Sequence, residues 1–264
     1  MPIWAYSIPP WLLALIMVAG FVTLSLAGLI IIRRYIVPRI HYHDGVNDAI
    51  SGSVQAIGVF YGITVGLIAV AVWNSHSNAE DLTSMEAAQI AGLYRDASAF
   101  PEPLRTPLKA SIYNYTVTVI EKEWPAQRKG MIPNDGISFL NDFQDTLMTF
   151  EPLTKGQEVL LSESLRAFNQ LIQCRRMRLA AVGGKLSSIM WFVIWIGAAI
   201  SIAIGYLFYI EDFRLHAALI GMMGAFLGIV VFIIAANDRP FTGGMGLTPD
   251  AYQLLLDTVR NLPK

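Results

Sequence analysis

Charge is what this sequence has least of. Asp, Glu, Lys and Arg together make up 15% of 264 residues, where a soluble domain carries about 25%. None of the four occurs from Met1 to Ile32, nor from Ala49 to Ala79. Gaps of that length exclude an ordinary water-soluble chain and mark membrane spans. The formal net charge of −1 leaves no basic face to neutralise phosphates, so nucleic acid is excluded as a partner. Cys174 is the only cysteine, which rules out an intrachain disulfide. Zinc-type Cys/His spacings, a phosphate-cradling Gly-Lys-Ser loop and a nucleophile elbow are all missing. No cofactor and no metal site are expected.

Apolar residues fill the space, at 54% of the chain with a mean hydropathy of +0.49. Crossing ~30 Å of hydrocarbon takes about 20 of them in a helix, and four runs qualify. They are Trp11–Ile32, preceded by the interfacial aromatics Trp4 and Tyr6, then Val54–Trp73, Ser187–Ile210 and Leu215–Ala236. Met1–Pro10 has no Lys or Arg and the first run ends at Arg33-Arg34, which argues against a cleaved signal peptide. Only Glu211–Arg214 separates the last two runs, so they predict a tight antiparallel hairpin. Four crossings put both termini and the central segment on one side. None of the spans has an internal Asp, Glu, Lys, Arg or His, which excludes proton relays and voltage sensors and speaks against an enzyme with a buried dyad.

The central segment predicts helices. Leu104, Leu108, Ile112, Tyr115 and Val119 recur at spacings of three and four, as do Ile137, Leu140, Phe143, Leu147 and Phe150. Thr154 and Gln157 fit a capping box that opens a helix through Leu161, Leu165, Phe168, Leu171 and Ile172. A first domain helix, Asn78–Phe100, should continue out of the second span, with Glu80, Asp81 and Glu86 placed at a helix start where negative charge is favoured. A last helix should begin with Thr248 as N-cap and Pro249 as first residue. The expected fold is an all-α membrane protein of four spans with a helical domain inserted between the second and third. Its parts are residues 1–73 (two spans and their loop), 74–186 (the water-facing domain), 187–236 (the hairpin) and 237–264 (a C-terminal segment with a short helix).

The second span is the most informative about function. Gly58, Gly62 and Gly66 stack on one face, where another helix can approach closely. At 100° per residue the opposite face carries Phe60, Thr64 and Leu67, a set suited to a narrow hydrophobic neck that gates by dewetting. Ordinary helix packing is the plainer explanation of the same spacing. His41-Tyr42-His43-Asp44 has metal-ligand chemistry but reads as a polar membrane-edge segment. Arg175, Arg176, Arg178 and Lys185 cluster before the third span, where they could steer anions, hold lipid headgroups or anchor orientation. Near-membrane basic residues number five on one side and four on the other, so charge alone does not orient the chain.

The run His43-Asp44-Gly45-Val46-Asn47-Asp48, with Gly58-Val59-Phe60-Tyr61, Val72-Trp73, Glu86-Ala87, Leu93-Tyr94-Arg95, Glu123-Trp124-Pro125 and Asp238-Arg239-Pro240-Phe241, resembles the bestrophin-like domain family of integral membrane proteins. That family is distantly similar to the bestrophins, pentameric anion channels whose subunits have four spans, a cytosolic helical domain and a hydrophobic neck built by the second span. The resemblance implies a homo-oligomeric chloride or other anion channel in a bacterial inner or plasma membrane, with termini and helical domain cytoplasmic. Its partners would be the lipid bilayer, further copies of itself and inorganic ions. Counting back from Trp73-Asn74 to the bestrophin Trp-Asn puts the neck at Gln55, Val59 and Ile63, one row away from Phe60, Thr64 and Leu67. Animal bestrophins clasp calcium with carboxylates after the fourth span. Here Thr242-Gly243-Gly244-Met245-Gly246 follows Pro240-Phe241 with no carboxylate before Asp250, so that clasp is not expected. The alternative is a membrane-anchored sensor or scaffold whose helical domain binds a partner and which has no pore.

Overall fold

The computed structural model describes residues 6, 8–39 and 45–261. Trp4, His41, His43 and Asp44 lie outside them. Among the described residues there is no strand. The helices are α1 (Pro10–Tyr35), α2 (Val46–Ala97), α3 (Arg105–Thr118), α4 (Trp124–Arg128), α5 (Ile137–Met148), α6 (Lys155–Val182), α7 (Ser188–Gly205), α8 (Phe213–Asn237) and α9 (Asp250–Asn261). A single π-helical turn, Val119–Glu123, joins α3 to α4. The helices α1, α2, α7 and α8 are long and apolar enough to cross a membrane.

Two compact units result, one of Met1–Asn74 with Lys185–Asp238 and one of Ser75–Gly184 with Arg239–Lys264. In the first, α1 lies directly on α8. The contact is close because α8 offers glycines to it: a Cβ on Gly228 would reach Val18 Cα at 2.9 Å, and one on Gly224 would reach Ser25 Oγ at 2.6 Å. Small residues four apart permit this approach in a medium where helices gain nothing from hydrophobic burial. The Tyr206 hydroxyl donates to the Ser25 carbonyl at 2.9 Å and seals a small core of Leu29, Tyr206 and Ile220.

Three expectations need correction. The second span and the first domain helix are one uninterrupted helix, α2, so Glu80, Asp81 and Glu86 do not sit at a helix start. The third span stops at Gly205 rather than Ile210. Its predicted end is drawn off the helix because Tyr209 gives both backbone groups to Asn47: the Asn47 Nδ2 donates to the Tyr209 carbonyl at 3.0 Å, and the Tyr209 N–H donates to Asn47 Oδ1 at 2.9 Å. In the same hairpin Asp212 Oδ1 accepts the Arg214 N–H at 2.7 Å and caps α8. Third, His216 near the start of α8 is buried, with Nε2 at 3.1 Å from the Gly205 carbonyl, so the last span does carry an imidazole among its packed helices.

The second unit has its own core, centred on Phe100, Leu108, Ile112, Phe143, Leu147 and Phe168. The Thr154 Oγ1 accepts the Gln157 N–H at 3.2 Å, the N-cap expected for α6, while the Gln157 amide reaches back to Leu153 N–H at 2.8 Å. The last helix starts one residue later than expected. Its first bonds run to the Pro249 carbonyl, and the Thr248 hydroxyl turns instead to Asp250 at 2.6 Å.

Candidate functional site

The first unit leaves α2 largely uncovered. Val65 and Val72 are its buried side chains there. On the other side Phe60 is 73% exposed, Leu67 67%, Val59 59% and Ile63 58%, and Gln55 and Thr64 are exposed as well. Both candidate neck rows therefore lie on the uncovered side. Thr64 has less to offer an anion than its hydroxyl suggests, because that hydroxyl donates to the Phe60 carbonyl at 2.8 Å. Only its lone pairs remain outward.

The stacked glycines meet no helix of their own subunit. A Cβ on Gly58, Gly62 or Gly66 would meet nothing within 4 Å, so no helix of the same subunit presses on them. They border an open apolar groove of about 420 Å³ whose far wall includes Ser201, Ile204, Met223 and Phe226. The close contact to α7 is made one position earlier in the turn. Tyr61 lays its ring against Gly197 and donates its hydroxyl to the Ile194 carbonyl at 3.0 Å.

At the far end of α8, Asp238 gathers three donors: Leu186 N–H at 2.6 Å on Oδ1, and the Tyr6 hydroxyl at 3.2 Å and Trp191 Nε1 at 3.3 Å on Oδ2. It is buried and fixes the start of α7, a structural task for the first residue of the Asp238-Arg239-Pro240-Phe241 motif.

In the second unit the motif residues meet in a buried ionic cluster. Arg178 Nε donates to Glu86 Oε2 at 2.6 Å, and its Nη2 donates to Glu86 Oε1 at 3.2 Å and to Glu123 Oε2 at 3.0 Å. Arg175 Nη2 donates to Glu123 Oε1 at 2.9 Å, and the Gly136 N–H donates to the same oxygen at 3.0 Å. The Tyr115 hydroxyl donates to Glu86 Oε1. The π turn makes this possible. Taking one residue more than an α turn, it faces Glu123 and Trp124 inward together, and both are buried. Trp124 then packs edge-on against Phe241 and Tyr252 and donates Nε1 to the Leu247 carbonyl at 3.1 Å.

This overturns the reading of Arg175 and Arg178 as groups that steer ions or hold lipid. Both are buried and neutralised by Glu86 and Glu123, so neither presents charge to solvent. Arg176 and Lys185 are exposed and keep that possibility. Among the described residues no group of three His, Cys, Asp or Glu side chains could hold a metal ion.

Burial by itself would raise the Glu123 carboxyl, but Arg178 and Arg175 outweigh it and hold it below its ordinary 4.5. Burial, then the Glu86 charge, pushes the Tyr115 hydroxyl well above its ordinary 10.0, and Tyr252 is raised by the same two causes in the same order. The signs give two limbs. A depressed carboxyl contributes stability that is complete above 4.5 and lost as pH falls through its folded value. A raised phenol contributes stability that is complete below 10.0 and lost as pH rises past it. Burial also lowers the His76 imidazole from its ordinary 6.5, so some stability is lost below that pH before the carboxyl limb begins. Thermal melting of the detergent-solubilised protein should therefore be flat between about pH 7 and 9 and fall on both sides. A melting temperature already falling between about pH 7 and 9 would contradict the cluster.

The structure thus defines a multi-span, all-α membrane protein with a helical unit assembled around an internal ion-pair cluster. Residues 19–252 match the bestrophin-like domain, and the chain belongs to that family. Two crystal structures of a bacterial bestrophin homologue from Klebsiella pneumoniae, each a point variant, share its fold. One has a TM-score of 0.68 at 9% identity over 93% of this chain and 97% of its own, the other 0.66 at 10% over 93% and 98%. A third crystal structure, described as a membrane protein, gives 0.68 at 8% over 93% and 97%. No curated protein matches.

Proposed function

We propose that this chain is the subunit of a homo-oligomeric, pentameric ion channel that conducts passively, with its neck lined by α2. The observation that carries the reading is the uncovered apolar side of α2, bearing Val59, Phe60, Ile63 and Leu67, on a helix tied to its own subunit from the other side. Repeated around an axis, such sides form a narrow hydrophobic constriction, and water leaves such constrictions readily. The open groove beside Gly58, Gly62 and Gly66 is where a neighbouring subunit's helix would pack. Anions are preferred over cations, because a cation path normally has an Asp or Glu ring and α2 has none from Ala49 to Ala79. The helical unit and both termini face the cytoplasm of a bacterial inner or plasma membrane, with the helical unit forming the vestibule.

Two measurements on purified protein test this. Light scattering in detergent should give five subunits, and planar-bilayer recording under a KCl gradient should give current that reverses near the chloride potential. A monomer or dimer, or silent bilayers, would remove the axial pore. Current reversing near the potassium potential would keep the channel and reverse the selectivity.

A further inference from the structure

In the first unit α2 is attached by little besides two polar contacts among the described residues, the Asn47–Tyr209 pair at its start and Tyr61 on α7. The Tyr61 contact is shaped as well as bonded. A Cβ at Gly197 would overlap ring atoms Cδ2 and Cε2 of Tyr61, so only glycine leaves room for the ring there. On the adjoining side, the groove along Gly58, Gly62 and Gly66 places no atom in the way of a turning helix. Phe60 and Val59 precede Tyr61 directly, and successive residues stand about 100° apart around a helix. The rotation at which Tyr61 seats therefore decides whether the row of Phe60, Thr64 and Leu67 or the row of Gln55, Val59 and Ile63 points to a common axis.

We propose that Tyr61 seated against Gly197 is the positioning pair of the neck: it sets the rotation of α2 and with it the row that lines the pore. The inference rests on the channel reading, and adds that the lining row is held by a contact between α2 and α7 rather than by the lining residues. Tyr61 acts through the helix and does not touch the ion path.

The chain is well suited to the test, since its one cysteine, Cys174, is buried and is replaced by serine for a cysteine-free parent. Single cysteines at Val59, Phe60, Ile63 and Leu67 are then scored in bilayers by the rate at which a charged thiol reagent blocks current. One row should react faster than the other. Tyr61→Phe keeps the ring but removes a hydrogen bond whose net worth corresponds to about a fivefold change in population, so the ratio between rows should shrink about fivefold. Gly197→Ala, which expels the ring, should shrink it further. Gly221→Ala, where a Cβ meets only Leu26 at 3.9 Å, should leave it unchanged. An unchanged ratio in both Tyr61→Phe and Gly197→Ala overturns the positioning role while leaving the channel intact. Loss of assembly in Tyr61→Phe also overturns it, by making the contact an assembly contact. Equal, slow reaction at all four positions in a conducting parent means that α2 does not line the path, and the neck assignment itself falls.

Discussion

Arg178→Ala should lower the melting temperature of the protein by about 10–20 °C, the largest loss of stability expected from a single substitution. Removing one partner of a buried ion pair costs about 3–5 kcal/mol, because the other charge remains in a place it cannot be solvated. Here Glu86 is left with only the Tyr115 hydroxyl and no cation, while Glu123 loses one of its two arginines and keeps Arg175. Against a total stability of about 5–15 kcal/mol this is a large share, and each kcal/mol is worth about 4 °C in a unit whose size lies between the small-domain and 150-residue ranges. The companion variant decides what the cluster is for. Glu86→Leu with Arg178→Met removes the pair while leaving Arg175 on Glu123, and replacing a buried pair by packed apolar groups is often neutral. Most of the lost melting temperature should return. Circular dichroism melts in detergent read both variants, and a shift within about 3 °C for Arg178→Ala would mean that the cluster is hydrated and not structural.

The sequence carries the signal of that cluster, in a form easily read as something else. The apolar stripe of α6 continues from Phe168 and Leu171 to Arg175, Arg178 and Val182 at the same spacings of four, three and four, so the arginines occupy core positions. On α2, Glu86 stands in the same stripe as Ala79, Ile90 and Leu93, and Glu123 follows Tyr115 and Val119. Charges of opposite sign on separate buried stripes point to mutual pairing. Taken alone, each looks like a surface charge near a membrane or a helix terminus. The four runs long and apolar enough to cross a membrane were legible because hydrocarbon thickness leaves few ways to satisfy a backbone.

The glycines show where spacing stops being informative. Gly58, Gly62 and Gly66 have the pattern of a packing face, yet close approaches between the membrane helices of the subunit are made at other glycines, among them Gly28, Gly197, Gly205, Gly224 and Gly228. A helix presents its small residues identically whether the neighbour is in its own chain or another, and the pattern does not say which. The π turn at Val119–Glu123 and the early end of α7 were equally hidden, because both depend on partners far along the chain: Arg175 and Arg178 for the first, Asn47 for the second.

Phe60→Ala should raise the open-channel current about tenfold, the largest functional change expected, with Ile63→Ala compared in the same recordings. A dewetted constriction imposes a barrier that rests on apolar surface, and each 1.4 kcal/mol removed from a barrier is a tenfold gain in rate. In the proposed oligomer one substitution trims every subunit's contribution to the ring. Phe60 is the bulkiest of the candidate lining residues, and Thr64 one turn on offers no free hydroxyl hydrogen to replace water around an anion. If neither substitution changes the current by more than about twofold, the barrier lies elsewhere and α2 is not the neck. Selectivity should respond to a different position. Gln55 is exposed on the same helix and is uncharged, so Phe60→Ala should leave the reversal potential where it was. Gln55→Glu places one carboxylate per subunit around the axis, the arrangement that cation channels use. Its reversal potential should move toward that of potassium, and a shift produced by Phe60→Ala but not by Gln55→Glu would place the ion's selective contact at the hydrophobic ring instead.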